Sequence, residues 1–174
     1  MLHLGRNTIG IMAGELSDLQ GVALASRLIR LGEQIRKDVG RIYKEQGIDW
    51  EPKWSPVLLI LIRKSPMGIQ ELADELGYTH PSVIALVKEM EDRKLIRSHI
   101  DKTDKRKRLL TLTPRALAYK NELQPVCDLM NEVVQEITNT QHNLLLALDE
   151  TEQLLQSQNF YQRYGTKTDN NGGI

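Results

Sequence analysis

The densest charge in the 174-residue sequence lies between Arg93 and Arg108, where eight basic residues and two acidic ones give a local charge of +6. Seven of these ten charged residues fall in the polar segment 101–108. There, Asp104 precedes Arg106 by two residues, so its carboxylate can hold the guanidinium in a fixed direction by a charge-assisted hydrogen bond. An arginine fixed at a loop tip suits the narrow minor groove of A·T-rich DNA. Taken without the helices that precede it, the segment would be better explained as a solvated charged turn.

A second group of side chains precedes this segment and is suited to reading base edges. Thr79, His80 and Ser82 carry hydrogen-bonding groups at the predicted start of a helix, the part of a recognition helix that contacts bases. Ala85 can meet a thymine methyl group, and Lys88 can reach a phosphate. For His80, capping the helix is an equal alternative. The predicted DNA contacts are Thr79, His80, Pro81, Ser82, Ala85, Lys88, Lys105, Arg106, Lys107 and Arg108.

The spacing of small and apolar residues predicts a helix-turn-helix that would position the second group. Ala73 provides the small side chain that a steep helix crossing requires, and Gly77 provides a turn residue that tolerates positive φ. Val83 and Leu86 then lie on the inner face of the second helix. The opposite face, which runs on to Glu89, stays polar and is predicted to be exposed.

A β-hairpin is predicted to position the basic segment. Alternating residues follow Leu95-Ile96, continue into the polar loop 101–108, and resume in the strand-like segment 109–113. We therefore predict sequence-specific binding to double-stranded DNA. The alternative is a winged-helix module that binds protein without specific DNA binding, but it leaves the basic hairpin unexplained.

A long amphipathic helix precedes this lobe. Ser17 and Gln20 have the spacing of a capping box, and the helix is predicted to end near Gly47. Its apolar stripe is longer than one small lobe can cover, which predicts a homodimer. The stripe consists of Leu24, Leu28, Leu31, Ile35, Val39 and Ile42.

The remaining elements complete a mainly α fold with a small β-hairpin wing: a winged helix-turn-helix lobe plus a helical dimerisation region. Ser55 is predicted to cap a short buried helix, and residues 65–68 to form a turn. Thr113 caps a helix that Pro125 should kink, and a final helix spans about 141–163. The predicted organisation is an N-terminal tail (1–14), a dimerisation helix and connector (15–54), the DNA-binding lobe (55–115), dimerisation helices (116–164) and a disordered tail (165–174).

Several segments of this lobe have a distinctive order. They are QELADELG at 70–77, PSV at 81–83, LI at 95–96, and DKRKR at 104–108 followed by LT at 112–113. Together they resemble the core of the MarR family of transcriptional regulators, and the D-x-R wing before the Leu-Thr pair is the most specific part. The resemblance implies a ligand-responsive repressor that binds a pseudo-palindromic operator as a dimer. It also implies that first and last helices interlock, that Arg106 enters the minor groove with Asp104 as its brace, and that a small phenolic or lipophilic ligand binds between the dimerisation helices and the lobe.

Two positions depart from that family's pattern. Lys94 stands where glycine usually precedes the Leu-Ile pair, and Ala116 stands where glycine often follows the Leu-Thr pair. Each change removes a residue that adopts positive φ easily, so the backbone at these positions is expected to differ. Neither position holds a DNA-reading side chain, so DNA binding should be little affected.

Three further residues have two interpretations each. Trp50 and Trp54 lie in the connector between the first two helices, where they either line a ligand pocket or, as we favour, anchor the loop to the core. Cys127 is either an oxidant sensor or, as we favour, a small buried hydrophobic residue.

No enzyme, metal or cofactor is predicted. The four histidines lack metal-ligand spacing, and there is neither a Gly-rich phosphate loop nor a G-x-S-x-G motif. A single cysteine cannot form an internal disulfide, no stretch approaches the roughly 18 apolar residues of a membrane span, and residues 1–14 do not resemble a signal peptide. We therefore expect a cytoplasmic protein with no membrane partner.

Overall fold

The computed structural model describes residues 20–170, which form two compact units that meet between Leu123 and Gln124 in sequence. The predicted N-terminal tail and the predicted capping residue Ser17 lie outside the described residues. Within the described part of the chain, none of the helices is long and apolar enough to cross a membrane.

The first unit opens with helix α1, Leu24–Glu45, which follows a short 3-10 turn. The helix ends as predicted, because Gly47 adopts a φ of +70° just after it. Tyr43 is the buried residue of this helix, whereas the predicted apolar stripe is largely exposed within the unit. The stripe therefore lacks a cover inside its own unit.

Helix α2, Ser55–Lys64, begins differently from the sequence prediction. Ser55 is its first helical residue, not its cap, and Trp54 occupies the capping position, where its side chain makes no capping hydrogen bond to the helix. The Ser55 hydroxyl is instead used in the tertiary structure, since it accepts a hydrogen bond of 2.9 Å from Trp50 Nε1.

The helix-turn-helix forms as predicted. Helix α3 spans Ile69–Leu76, Gly77 has a φ of +64°, and helix α4 spans His80–Asp92. Glu71 stabilises the start of α3, because its carboxylate accepts the backbone N–H of Gly68 at 2.9 Å. The inner face of α4 is buried through Val83, Leu86, Val87 and Met90.

The predicted hairpin consists of β2, Ile96–Ile100, and β3, Arg108–Leu112, and it is joined by a strand that the sequence did not predict. Met67–Gly68, strand β1, pairs with the other edge of β3, giving the antiparallel order β1-β3-β2. The prediction of a plain turn at 65–68 was wrong for these two residues. Met67 is buried opposite Leu110, and a two-residue strand is too short to show alternation in the sequence.

The core of the first unit lies between these helices and the sheet. Its most deeply buried large side chains are Val57, Leu61, Leu72, Val83, Met90, Leu95, Leu110 and Trp54. Residues from α2, α3, α4, β3 and the position just before β2 therefore share one apolar interior, which fixes α4 and the hairpin to the same body.

Helix α5, Pro114–Thr138, begins in the first unit and continues into the second without interruption at Pro125. The second unit then holds α6, Leu144–Ser157, and α7, Phe160–Asn170, where the sequence predicted one helix over 141–163. The break arises because Gln158 is extended and the next residue, Asn159, caps α7 by accepting the backbone N–H of Gln162 at 2.9 Å. Helix α7 also reaches beyond the predicted start of disorder at residue 165.

Candidate nucleic-acid interface

Six of the predicted DNA contacts lie together on the exposed side of α4 and its cap. Each of them is exposed to solvent: Thr79, His80, Pro81, Ser82, Ala85 and Lys88. Thr79 is the cap itself, since its Oγ1 accepts the backbone N–H of Ser82 at 3.4 Å and lies 2.8 Å from Ser82 Oγ. Thr79 therefore takes the capping role that the sequence left open for His80, and the imidazole remains available for contact.

The loop between β2 and β3, residues 101–107, which we call the wing tip, contains the bond that the brace prediction requires. Asp104 Oδ1 accepts the backbone N–H of Arg106 at 3.0 Å and also lies 3.4 Å from its Nε. The Arg106 side chain is 93% exposed. The arginine is thus restrained at its base while most of the guanidinium faces solvent, ready for an anionic partner.

Asp101 organises the wing tip, a role that the sequence analysis missed. Its Oδ1 accepts hydrogen bonds from the backbone N–H and the hydroxyl of Thr103, at 2.6 and 2.5 Å, and from the backbone N–H of Asp104 at 2.9 Å. These hydrogen bonds, the Thr103 hydroxyl first, lower the pKa of the Asp101 carboxyl to about 2. Aspartate side chains often bond the backbone two residues ahead in turns, so Asp101 in this polar loop was a recognisable turn signal.

The other three predicted wing cations differ in the contacts of their side chains. Lys105 and Lys107 are exposed. Arg108, at the start of β3, donates a hydrogen bond to Ser98 Oγ and lies 3.6 Å from a carboxylate oxygen of Glu91 on α4. Arg108 therefore links the wing to α4, and any contact it makes with a phosphate competes with Glu91.

Trp50 and Trp54 have the geometry of a loop anchor. Both are buried, 4% and 1% exposed, and their rings meet edge to face at 5.4 Å. Trp50 also packs on Tyr119 of α5 at 5.1 Å, and both indole N–H groups donate hydrogen bonds, to Ser55 and Glu89 respectively.

A cleft of about 260 Å³ lies between α1 and the connector that follows it. Its lining is mostly charged and contains neither indole: Glu33, Arg36, Lys37, Gly40, Glu51, Pro52 and Lys53.

Among the described residues, no group of three or more histidine, cysteine, aspartate or glutamate side chains could hold a metal ion. Cys127 lies half-buried on α5.

The backbone at Lys94 corrects the expectation that this position would be built differently. Lys94 adopts a φ of +59°, the left-handed conformation that favours glycine. The neighbouring bonds require it, because Leu95 N–H reaches Met90 O at 2.8 Å and Thr113 Oγ1 donates to Lys94 O at 2.7 Å. At the other departure, Ala116 is fully buried and donates its N–H to Thr113 Oγ1 at 3.2 Å.

Comparison with known proteins places this arrangement in context. Residues 47–107 match the model described as the MarR family. This segment contains α2, α3, α4, the first strand of the hairpin and the wing tip. No curated protein matches the sequence significantly.

Solved structures match over most of the chain. The S. aureus MepR–DNA complex has 18% identity and a TM-score of 0.63, and the match covers 77% of this chain and 98% of that one. The transcriptional repressor CouR, bound to a 23-mer DNA duplex, has 25% identity and a TM-score of 0.57, with 83% and 92% covered. PcaV from Streptomyces coelicolor, in complex with its natural ligand, has 17% identity and a TM-score of 0.61, with 79% and 92% covered.

Proposed function

We propose that the chain is a winged-helix transcriptional regulator of the MarR family, a repressor that binds a pseudo-palindromic operator as a dimer; the match of residues 47–107 to that family's model supports this. One observation carries the proposal: a hydrogen-bonded arginine projects from the wing tip of the same compact unit that exposes the polar face of α4. A helix face can read a major groove while a restrained arginine enters a minor groove.

The proposed division of labour follows from the type of each side chain. Thr79, His80 and Ser82 lie at the start of α4 and would contact base edges, with Ala85 against a thymine methyl group. The exposed lysines would contact phosphates and fix the register without reading sequence. Arg106 would enter the minor groove, with Asp104 as its brace.

Exposed apolar faces support the proposal of a homodimer. On α1 the exposed large apolar residues are Leu24, Leu28, Ile29, Leu31, Ile35 and Ile42. The second unit, considered by itself, exposes Leu129, Val133, Ile137, Leu145, Leu146, Leu154, Leu155, Phe160, Tyr161 and Tyr164. Soluble proteins seldom leave contiguous apolar surface of this extent in water, and a second copy of the chain would cover it.

Response to a small phenolic or lipophilic ligand is the further part of the proposal. PcaV, a similar structure, was solved with its natural ligand. In this chain the cleft beside α1 is a candidate entrance, and a change in the connector there would reach the DNA-binding lobe. We propose a regulatory rather than enzymatic role, exercised in the cytoplasm.

Footprinting on the DNA upstream of the protein's own gene tests this function. Two copies of α4 related by a two-fold axis should protect half-sites about 34–36 Å apart, one helical turn, with A·T-rich flanks under the wings. If six to ten phosphates are neutralised, roughly 10³–10⁵ in affinity should be lost between about 50 and 200 mM salt.

Sedimentation of the same preparation tests the dimer. We expect a dimer at micromolar concentration, since the apolar faces described above would otherwise remain in water. A folded monomer, a footprint without a dyad or a flat salt dependence would each contradict the proposal. Absence of operator preference together with capture of a protein partner would favour the protein-interaction module instead.

A further inference from the structure

Glu89 makes contacts that its place on the polar side of α4 did not suggest. Its Oε1 atom accepts the indole N–H of Trp54 at 3.0 Å and lies 2.8 Å from Lys53 Nζ. Both partners belong to the connector that joins α1 to α2, more than thirty residues earlier in the chain. A single carboxylate oxygen therefore ties the recognition helix to the connector.

A second residue of α4's C-terminal end contacts the same indole. The Arg93 guanidinium, four residues after Glu89, lies 5.6 Å from the ring centroid of Trp54. Its Nη1 also lies 3.3 Å from an Asp49 carboxylate oxygen, at the start of the connector. Glu89 and Arg93 are one helical turn apart, so the connector is held by two successive side chains on one face of the helix.

The indole is a firm point of attachment. Trp54 is 1% exposed and packs edge to face against Trp50, which in turn donates a hydrogen bond to Ser55 in the first turn of α2. A hydrogen bond from such a fixed donor defines a direction, whereas the apolar contacts of Val83 and Met90 on the inner face of α4 do not. The buried apolar face sets the rotation of α4 about its axis broadly, and the directional hydrogen bond restrains it further at the C-terminal half of the helix.

We propose that Glu89 is a positioning residue for operator recognition, which acts through the Trp54 indole to set the rotation of α4 and hence the direction of its base-reading side chains. The inference rests on the proposed function, since it concerns how that DNA-binding helix is oriented. It assigns Glu89 no contact with DNA. Its effect should therefore fall on sequence discrimination and spare the phosphate contacts, which need no fixed helix rotation.

Four single variants and one double variant of the full-length protein test the proposal, with affinity measured for operator DNA and for random-sequence DNA of equal length. Glu89→Ala removes the acceptor, and Trp54→Phe removes the donor but keeps an aromatic ring. Asp92→Ala is the matched control, because it removes the same charge from an exposed position on the same helix. Glu89→Gln is the rescue variant, since its amide oxygen still accepts the indole N–H.

We expect Glu89→Ala and Trp54→Phe each to weaken operator binding about tenfold relative to the Asp92→Ala control, with random-sequence binding changed by less than about twofold. The Glu89→Ala/Trp54→Phe double variant should lose no more than either single one, and Glu89→Gln should retain most of the affinity. A thermal unfolding curve for each variant checks that the protein stays folded at the assay temperature, and the random-sequence affinity checks it independently.

Two results separate this inference from the function beneath it. If the unaltered protein prefers its operator but Glu89→Ala binds like Asp92→Ala, the positioning role is wrong and the DNA-binding function stands. Equal losses on operator and random-sequence DNA, or independent losses in the double variant, also overturn it. If the unaltered protein shows no operator preference, the proposed function fails and the inference fails with it.

Discussion

Helix α4 and the wing tip are the two parts of the molecule proposed to contact DNA, and they are stabilised over very different distances along the chain. Helix α4 is held from behind by the core and by Glu89, whose indole partner lies 35 residues away in sequence. The wing tip is held by Asp101 and Asp104, each of which bonds to residues two or three positions ahead.

The difference has a physical consequence for how each surface responds to change. A surface held by long-range contacts depends on the stability of the whole unit, because those contacts exist only when the core is formed. A surface held by local hydrogen bonds can loosen alone while the core persists. We therefore expect core changes to affect α4 first through folding, and wing changes to affect DNA binding without affecting folding.

The largest expected effect tests the dependence of α4 on the core. Trp54→Ala removes an indole that is 1% exposed and leaves a cavity, so the free energy of unfolding should fall by about 3–5 kcal/mol. Urea denaturation measures the change. Leu59→Ala, an exposed apolar position in the adjoining helix α2, is the control and should cost far less. Similar losses for the two variants would mean that Trp54 does not fix the connector to the core.

The next effect tests the independence of the wing. Arg106→Ala should weaken operator binding by about 1–3 kcal/mol, if the arginine makes a discriminating groove contact, and should leave the unfolding free energy unchanged because the side chain is 93% exposed. Lys105→Ala is the matched control, since it removes a neighbouring exposed cation that has no predicted groove contact. Titration at one fixed salt concentration compares them, and equal small losses would remove Arg106 from the proposed minor-groove site.

The same contrast explains what the sequence could predict. The pairing of Asp104 with Arg106 was predictable because both residues lie within one turn of chain and their chemistry is complementary. The inner face of α4 was predictable from its helical periodicity. The winged-helix fold was predictable from the resemblance of α3, α4 and the wing to the MarR family, because these segments follow one another in sequence and include the Gly77 turn.

What the sequence did not predict depends on contacts between distant residues. Glu89 was expected to face solvent, because periodicity alone cannot show that an indole from the connector reaches it. Strand β1 was missed because two residues carry no alternation, and it exists only through pairing with β3. The break before α7 was missed for a different reason: Asn159 provides a local capping signal that was not recognised.

A smaller effect is expected at Lys94, which lies in the short connection between α4 and strand β2 of the wing and has a φ of +59°. Glycine tolerates this conformation without steric cost, although it loses more entropy on folding, so Lys94→Gly should stabilise the protein by about 0.5–1 kcal/mol. Lys94→Ala is the control, since it keeps a Cβ atom and removes only the charged end. Chemical denaturation compares the three proteins, and a gain in Lys94→Ala as large as that in Lys94→Gly would show that backbone strain is not the cause.

The smallest expected effect concerns the wing alone and follows from the pKa of Asp101, which hydrogen bonds from Thr103 and Asp104 lower from 3.8 to about 2. Because the folded-state pKa is depressed, the carboxylate stabilises the turn fully above about pH 4, and this contribution is lost only as the pH falls through about 2. Between pH 8 and 5, Asp101 should therefore cause no change in wing structure.

NMR follows the backbone amide of Thr103 from pH 5 down to 3, where a carboxyl with an ordinary pKa would already be largely protonated and this one should remain ionised. Asp101→Asn is the control: its Thr103 signal should lack the step and differ from the start, since a neutral amide oxygen is a weaker acceptor than a carboxylate. A step centred near pH 4 would show that these hydrogen bonds are not formed in solution. The local hydrogen bonds of the wing would then be insufficient to order it without DNA. The wing would differ from α4 in becoming ordered only when it binds DNA.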